Sequence, residues 1–418
     1  MGSISTTIFY IITFLSIYVQ VFFLITFLDK RRKITYSPEG MTLTRYPKVT
    51  VAVPCYNEAE RLEKTVLSLL ALDYPKEKLE IFLVDDGSTD NTWEIIQRFA
   101  TYPNVHVFKK ENGGKYTALN VALEHATGEF FGCLDSDSLV DPAALIRIIK
   151  YFEDDAQTMA VAPSVIVNNP KNIIQKAQHI EYHMAVYNKK MLAFVGGINV
   201  TPGPFSIFRK YVFDTLGPYK KAHNTEDQEI ALRMQKHGYK IDHCPDAYVY
   251  TNSPTTVKKL YRQRLRWVNG FIRNCADYRT LIFKKKYGAI GLFTLPAGVV
   301  SIIGIIFLFA NMIYSLVRAS IDKITKIHAV GFERASQMHF DWFYINTKAI
   351  FFFIIILYVL IIVSTVIGRH MTERRTKFSF SLVYFFAVYS VVAPFWILRA
   401  VFQSITQKET NWAVERKA

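Results

Sequence analysis

Five short clusters of acidic, basic and aromatic residues hold the chemistry available to this chain. Asp135-Ser136-Asp137 sets two carboxylates near one another at the end of an apolar run, where they could share a hard divalent cation that bridges phosphate oxygens. An EF-hand is excluded, because Leu139 and Val140 stand where an acidic ligand and a glycine belong and Ile146 replaces the closing Glu. A solvated turn leading into a helix near Pro142 stays open as the plain structural alternative. Asp85-Asp86-Gly87-Ser88-Thr89-Asp90 also follows an apolar run. It reads either as a turn with a helix N-cap or as a place where Asp86, with Asp85, accepts hydrogen bonds from a nucleotide base or ribose.

Gly113-Gly114-Lys115 resembles part of a phosphate loop, but Tyr116 follows the lysine, so a Walker A loop is excluded. What remains is a lysine opening a helix, either an ordinary exposed side chain or one that holds a diphosphate with the helix N-terminus. Thr225-Glu226-Asp227 heads another helical pattern. Its acids suit a capped first turn, and Asp227 equally suits a general base that takes the proton of an attacking hydroxyl. In Gln263-Arg264-Leu265-Arg266-Trp267, Gln263, Arg266 and Trp267 fall at i, i+3 and i+4 and share one helix face. The cation would offset charge developing on a departing diphosphate, and the indole would stack on the apolar face of a sugar. The same stretch, Leu260 to Ile282, also reads as an amphipathic interfacial helix.

These clusters need elements to position them. Val49 to Val53, Leu79 to Val84, Val105 to Phe108 and Phe130 to Leu134 read as strands. Helical spacing over Glu58 to Leu72 and from about Tyr116 separates them, which predicts a parallel sheet flanked by helices. The acidic clusters then fall at the carboxyl ends of strands, where open α/β sheets bind ligands. The four cysteines lack metal-ligand spacing and are expected as free thiols.

The rest of the 418 residues is apolar at both ends. Thr7 to Leu28 has no charge and is followed by Asp29-Lys30-Arg31-Arg32-Lys33, which fits a signal anchor better than a cleaved leader. Ala289 to Val317, Ala349 to Gly368 and Phe378 to Leu398 also meet the length for crossing, with Pro296 and Pro394 expected inside helices. Basic clusters at 30–33, 284–286 and 374–375 flank these runs and predict an N-terminus outside, a cytosolic 30–287 and four crossings. The net charge of +15 comes without any nucleic-acid motif, so anionic lipid and phosphorylated substrates are the expected partners and nucleic acid is not.

In order and rough spacing, Pro54-Cys55-Tyr56-Asn57-Glu58, Val84 to Ser88, Asp135-Ser136-Asp137, Thr225-Glu226-Asp227 and Gln263 to Trp267 resemble the processive branch of glycosyltransferase family 2. That branch includes cellulose, chitin, hyaluronan and poly-N-acetylglucosamine synthases. The resemblance implies an α/β GT-A-type, Rossmann-like cytosolic catalytic domain joined to an α-helical transmembrane region. It divides the chain into a membrane helix at 1–29, a catalytic domain at 30–257, an interface helix region at 258–288 and three further membrane helices in 289–418. It implies an inverting single displacement from a UDP-sugar. Asp227 with Glu226 would be catalytic, and Asp135 with Asp137 would hold Mg²⁺ or Mn²⁺. Pro54, Tyr56, Glu58, Asp85, Asp86, Lys115, Asp135 and Arg266 would bind the donor; Gly203, Gln263 and Trp267 would meet the acceptor.

The single N-terminal and three C-terminal apolar runs look most like chitin-oligosaccharide and poly-N-acetylglucosamine synthases. Hyaluronan synthases more often carry Gly-Asp-Asp where Thr225-Glu226-Asp227 stands. The expectation is a cell-membrane enzyme that polymerises N-acetylglucosamine onto a polysaccharide acceptor and extrudes the chain, together with accessory export or modification subunits. Single addition to a polyprenyl phosphate is the alternative enzyme. A non-catalytic nucleotide-sugar-binding membrane subunit is the alternative of another class. The particular sugar, the product length and the role of 318–348 are not legible in the residues.

Overall fold

A computed structural model describes residues 3–34, 41–330, 349–374 and 379–406. Strands and helices alternate through the first half: β1 (Val49–Cys55), α2 (Leu62–Leu70), β2 (Leu79–Asp85), α3 (Thr92–Arg98), β3 (Val105–Lys109), α4 (Lys115–His125) and β4 (Phe130–Cys133). They follow an N-terminal helix α1 (Ser3–Lys30). β1 pairs in parallel with β2 on one side and β4 on the other, and β2 pairs with β3. The chain therefore winds outward through β2 and β3, then returns to the far side of β1. That reversal opens a crevice beyond the carboxyl ends of β1 and β4.

Every residue of β1 and β2 is buried, as expected of a parallel sheet covered on both faces. The pleat sorts them. Val49, Val51, Val53, Leu79, Ile81 and Leu83 enter one core with Leu62, Leu69 and Ile149, while Ala52, Phe82 and Val84 enter the other with Leu119, Phe131 and Met234.

The second half adds β5 (Ser138–Val140), α5 (Ala144–Asp154), β6 (Thr158–Val167), α6 (Ile173–Phe194), β7 (Ile207–Arg209), α7 (Tyr211–Leu216), α8 (Glu226–Lys236), β8 (Lys240–Thr251) and α9 (Val257–Asp277). The eight strands run β3-β2-β1-β4-β7-β6-β8-β5. The expectation of a parallel sheet is corrected here. β7 lies antiparallel between β4 and β6, and β5 lies antiparallel to β8. Each of these strands has three residues, too few for alternation to register in a sequence.

Among the described residues four helices are long and apolar enough to cross a membrane: α1, α10 (Leu295–Val330), α11 (Ala349–Glu373) and α12 (Ser381–Ile405). Pro394 sits inside α12 as expected. Pro296 also lies inside a helix, in the span Ile290–Ala329, directly after a π-turn at Ile290–Thr294 that accommodates its missing backbone donor. Helix α10 runs on past Val317 to Val330; the rest of 318–348, residues 331–348, lies outside the described residues, as do Arg375 and Phe378. Helices α6 and α9 join the sheet to this apolar region, α6 packing on α11 and α12 and α9 on α12. All four cysteines are buried, with no disulfide among the described residues.

The buried and exposed faces predict contrasting costs. Ile81→Ala, at a fully buried position, should destabilise by about 2–5 kcal/mol and visibly lower the thermal midpoint in detergent. Leu67→Ala, on the exposed side of α2, should stay within about 0.5 kcal/mol. Equal midpoints for the two variants would contradict the layer assignment.

Candidate functional site

The site begins where β1 and β2 end in register, Cys55 opposite Asp85. Two loops leave these strands and lock together. Asn57, in the left-handed region at φ 55°, donates its N–H to Ser88 Oγ (3.0 Å) and accepts from Thr89 N through Oδ1 (2.8 Å). Glu58 N donates to Thr92 Oγ1 at 2.9 Å. Tyr56 and Glu58 therefore lie on the loop held against residues 85–92, while Pro54 is still in β1, paired with Val84. Asp85 is fully buried and accepts from Ser88 N through Oδ1. Its Oδ2 is buried without a hydrogen-bond partner among the described residues, so it can take one from a ligand.

Asp86 accepts from Lys110 Nζ (2.7 Å), Gly113 N (3.0 Å) and Gly114 N (2.8 Å). The carboxylate thus holds the turn ahead of α4. Gly114 adopts φ +92°, which a side chain would strain. Lys115 comes next, as the first residue of α4. Its ammonium lies 2.6 Å from Asp135 Oδ1 and 3.2 Å from Glu226 Oε1. Burial works against that charge, but Asp135 and Glu226 outweigh it and hold Lys115 well above its usual value.

Asp135 follows β4, and the loop 201–205 closes over it. Phe205 N donates to Cys133 O at 2.6 Å, and Thr201 N and Oγ1 both donate to Asp227 O. At Gly203 a Cβ would sit 2.6 Å from Lys115 Nζ and 3.2 Å from Asp135 Oδ1. The missing side chain leaves a cradle beside that carboxylate. Asp137 lies beyond, its Oδ1 3.3 Å from Ser138 Oγ and its carbonyl accepting from Asn252 Nδ2. The hard carboxylate oxygens of Asp135 and Asp137 fit a divalent cation.

Ala222, His223 and Asn224 occupy the left-handed region in succession just before Thr225-Glu226-Asp227. Such strain persists only where surrounding contacts over-determine it. Thr225 does not cap α8 with its side chain; Oγ1 donates to Ala222 O and accepts from Asn274 Nδ2. Helix α9 presses against this corner at Gly270, where a Cβ would lie 2.3 Å from Thr225 Oγ1. Arg266 Nη1 reaches Asn224 O at 2.9 Å. Burial and the adjacent Glu226 push Asp227 up to about 6, with Lys115 and Arg266 pulling the other way.

Lys115, Asp135, Gly203, Glu226 and Asp227 are thus brought together, with Arg266 in electrostatic reach. Gln263 and Trp267 turn instead toward Arg264, which donates to Gln263 Oε1 and lies 4.1 Å over the indole. Arg264 itself is buried, paired with Glu181 of α6 and 3.3 Å from Tyr389 Oη of α12. Trp267 keeps 37% of its surface exposed, enough for stacking by a ligand. Sequence reasoning missed Arg264 and Glu181, and also Lys189 of α6, whose ammonium burial brings down to about 8 against the pull of Asp227. Only Arg264 lay inside a motif; the other two stand on a helix with no local chemical signature.

Residues 50–217 match the model of glycosyl transferase family 2. A poly-beta-1,6-N-acetyl-D-glucosamine synthase of Staphylococcus aureus is 33% identical over 244 residues, covering 57% of this chain and 59% of that protein. The synthase of the same name from Staphylococcus epidermidis is 33% identical over 227 residues, covering 53% and 54%. The matched stretch is thus somewhat over half the length of these curated relatives. A mannosyltransferase from Pyrobaculum calidifontis, solved with GDP-Man and Mn²⁺, superposes with a TM-score of 0.60 at 20% identity, over 96% of this chain and 100% of that one. The fold is of the GT-A type, with apolar helices appended.

The contact between α8 and α9 makes its own prediction. Gly270→Ala should destabilise by about 1–3 kcal/mol through overpacking against Thr225. Thr225→Ala in the same protein should recover part of that loss, so the double variant is less destabilised than the sum of the singles. Strict additivity of the thermal shifts would refute the contact.

Proposed function

We propose that the chain, whose residues 50–217 match the glycosyl transferase family 2 model, is a membrane-bound inverting glycosyltransferase that extends a polysaccharide from a UDP-sugar. N-acetylglucosamine is the proposed unit, in keeping with the synthases it resembles. The observation that carries this reading is the convergence of Lys115, Asp135, Glu226, Asp227 and Arg266 at one crevice.

In this mechanism the carboxylate of Asp227 accepts the proton of an acceptor hydroxyl. The hydroxyl oxygen forms a bond to the donor's anomeric carbon as the bond from that carbon to the diphosphate breaks, inverting its configuration. A base near neutrality suits this step, since it must be ionised yet basic enough to take the proton. Lys115 and Arg266 face the charge developing on the departing diphosphate. Asp135 and Asp137 would hold a divalent cation, Mg²⁺ or Mn²⁺, which supplies Lewis-acid charge neutralisation when bound. Asp85 Oδ2, with Tyr56 nearby in the chain, is the proposed nucleoside contact, and Asp86 shapes the turn that delivers Lys115. Trp267, Gln263 and Gly203 are the proposed acceptor side. The catalytic domain would face the cytosol, where nucleotide-sugars are held, with Lys30 to Lys33 and Lys284 to Lys286 on that side of the lipid.

Asp227→Asn should retain UDP binding and abolish UDP release from UDP-N-acetylglucosamine. Wild-type turnover in that variant would remove Asp227 from the mechanism. Transfer by the unaltered protein should fall as pH drops through about 6, the region where Asp227 gains its proton. Since Glu226 raises Asp227, Glu226→Gln should shift this acid limb of the residual activity to lower pH. A chelator should stop transfer, Mn²⁺ or Mg²⁺ should restore it, and sizing of labelled product should reveal chains longer than one added sugar.

A further inference from the structure

Away from the crevice, α6 and α11 cross at very short range. A Cβ on Gly368 of α11 would lie 2.2 Å from the His183 carbonyl oxygen of α6, so only glycine admits this approach. Five residues on, Glu373 comes over one turn of α6. Its Oε1 lies 3.1 Å from His179 Nε2 and 3.3 Å from His183 Nε2, and the two Nε2 atoms are 3.0 Å apart.

Thr372 Oγ1 lies 3.1 Å from Gly368 O, to which it donates, and 2.6 Å from His183 Nδ1. With the hydroxyl proton on Gly368 O, the imidazole donates from Nδ1 and turns the lone pair of Nε2 toward Glu373 and His179, the state in which a histidine ligates a metal. The other Glu373 oxygen accepts from Arg369 at 2.9 Å. His179 Nδ1 is buried with no partner among the described residues, so that ring is engaged only through Nε2.

We propose that His179, His183 and Glu373 bind a divalent transition ion of the zinc class that staples the membrane helix α11 to α6. Ligands at about 2.0–2.1 Å from a tetrahedral centre stand about 3.3 Å from one another, close to the triangle found here. Two imidazoles and a carboxylate suit zinc rather than magnesium, with water in the fourth position. Thr372 is the outer partner that orients His183. The ion would anchor the helix that carries Lys189 beside Asp227, and this holds independently of the reaction proposed above.

The test uses the full chain in detergent, purified without a histidine tag, stripped with chelator and titrated with Zn²⁺. One tightly held zinc per chain is expected, and Co²⁺ in its place should show the intense visible bands of a tetrahedral site. Glu373→Gln and His179→Gln should lose the stoichiometric metal, and Thr372→Val should weaken it about 10- to 100-fold. Asp135→Asn combined with Asp137→Asn should leave it in place, which separates this site from the crevice. No retained zinc in the unaltered protein, or equal zinc in Glu373→Gln, would overturn the proposal and leave the three residues as an ion-paired cluster only.

Discussion

Lys115 stands between the carboxylates of Asp135 and Glu226, so segments more than a hundred residues apart meet at one ammonium. Removing that charge would leave Asp135, Glu226 and Asp227 facing one another across a water-poor crevice, where like charges repel strongly. The backbone is arranged around this need. Asp86 clamps the turn that delivers Lys115, Gly203 gives it room, and Thr201 ties the covering loop to Asp227.

The membrane side of the molecule is built into the same arrangement. Helix α9 brings Arg266 toward Asp227 only because Gly270 lets it press on Thr225. Farther along the same helix, Asn269 Nδ2 donates to Ser404 Oγ of α12 at 3.2 Å, and Arg264 meets both α6 and α12. A displacement of the apolar helices would therefore be felt at Asp227. The proposed metal staple adds a second tie, from α11 to α6.

Strain and burial mark the acidic positions. Three successive left-handed residues precede Thr225, Asp227 is pushed toward neutrality, and among the described residues Asp85 Oδ2 has no hydrogen-bond partner. Each feature costs folding free energy and persists because the surrounding contacts outweigh it.

Much of this was legible in the residues. The buried strands β1 and β2 show as apolar runs broken only at Thr50 and Glu80, acidic residues follow the strands, and the long apolar segments need no partner to be recognised. Such features depend on neighbours a few positions apart, which a linear chain displays directly. The antiparallel insertion of β7, the engagement of Asp86 by Lys110 and two amides, the turning of Arg264 over Trp267 and the meeting of His179, His183 and Glu373 do not. They arise from approaches between segments distant in the chain, set by helix packing and by glycines that permit contact. Residue types and local spacing determined which chemistry this protein could carry; only the tertiary structure decided which side chains share a charge, because electrostatic coupling falls off with distance in space and not along the sequence.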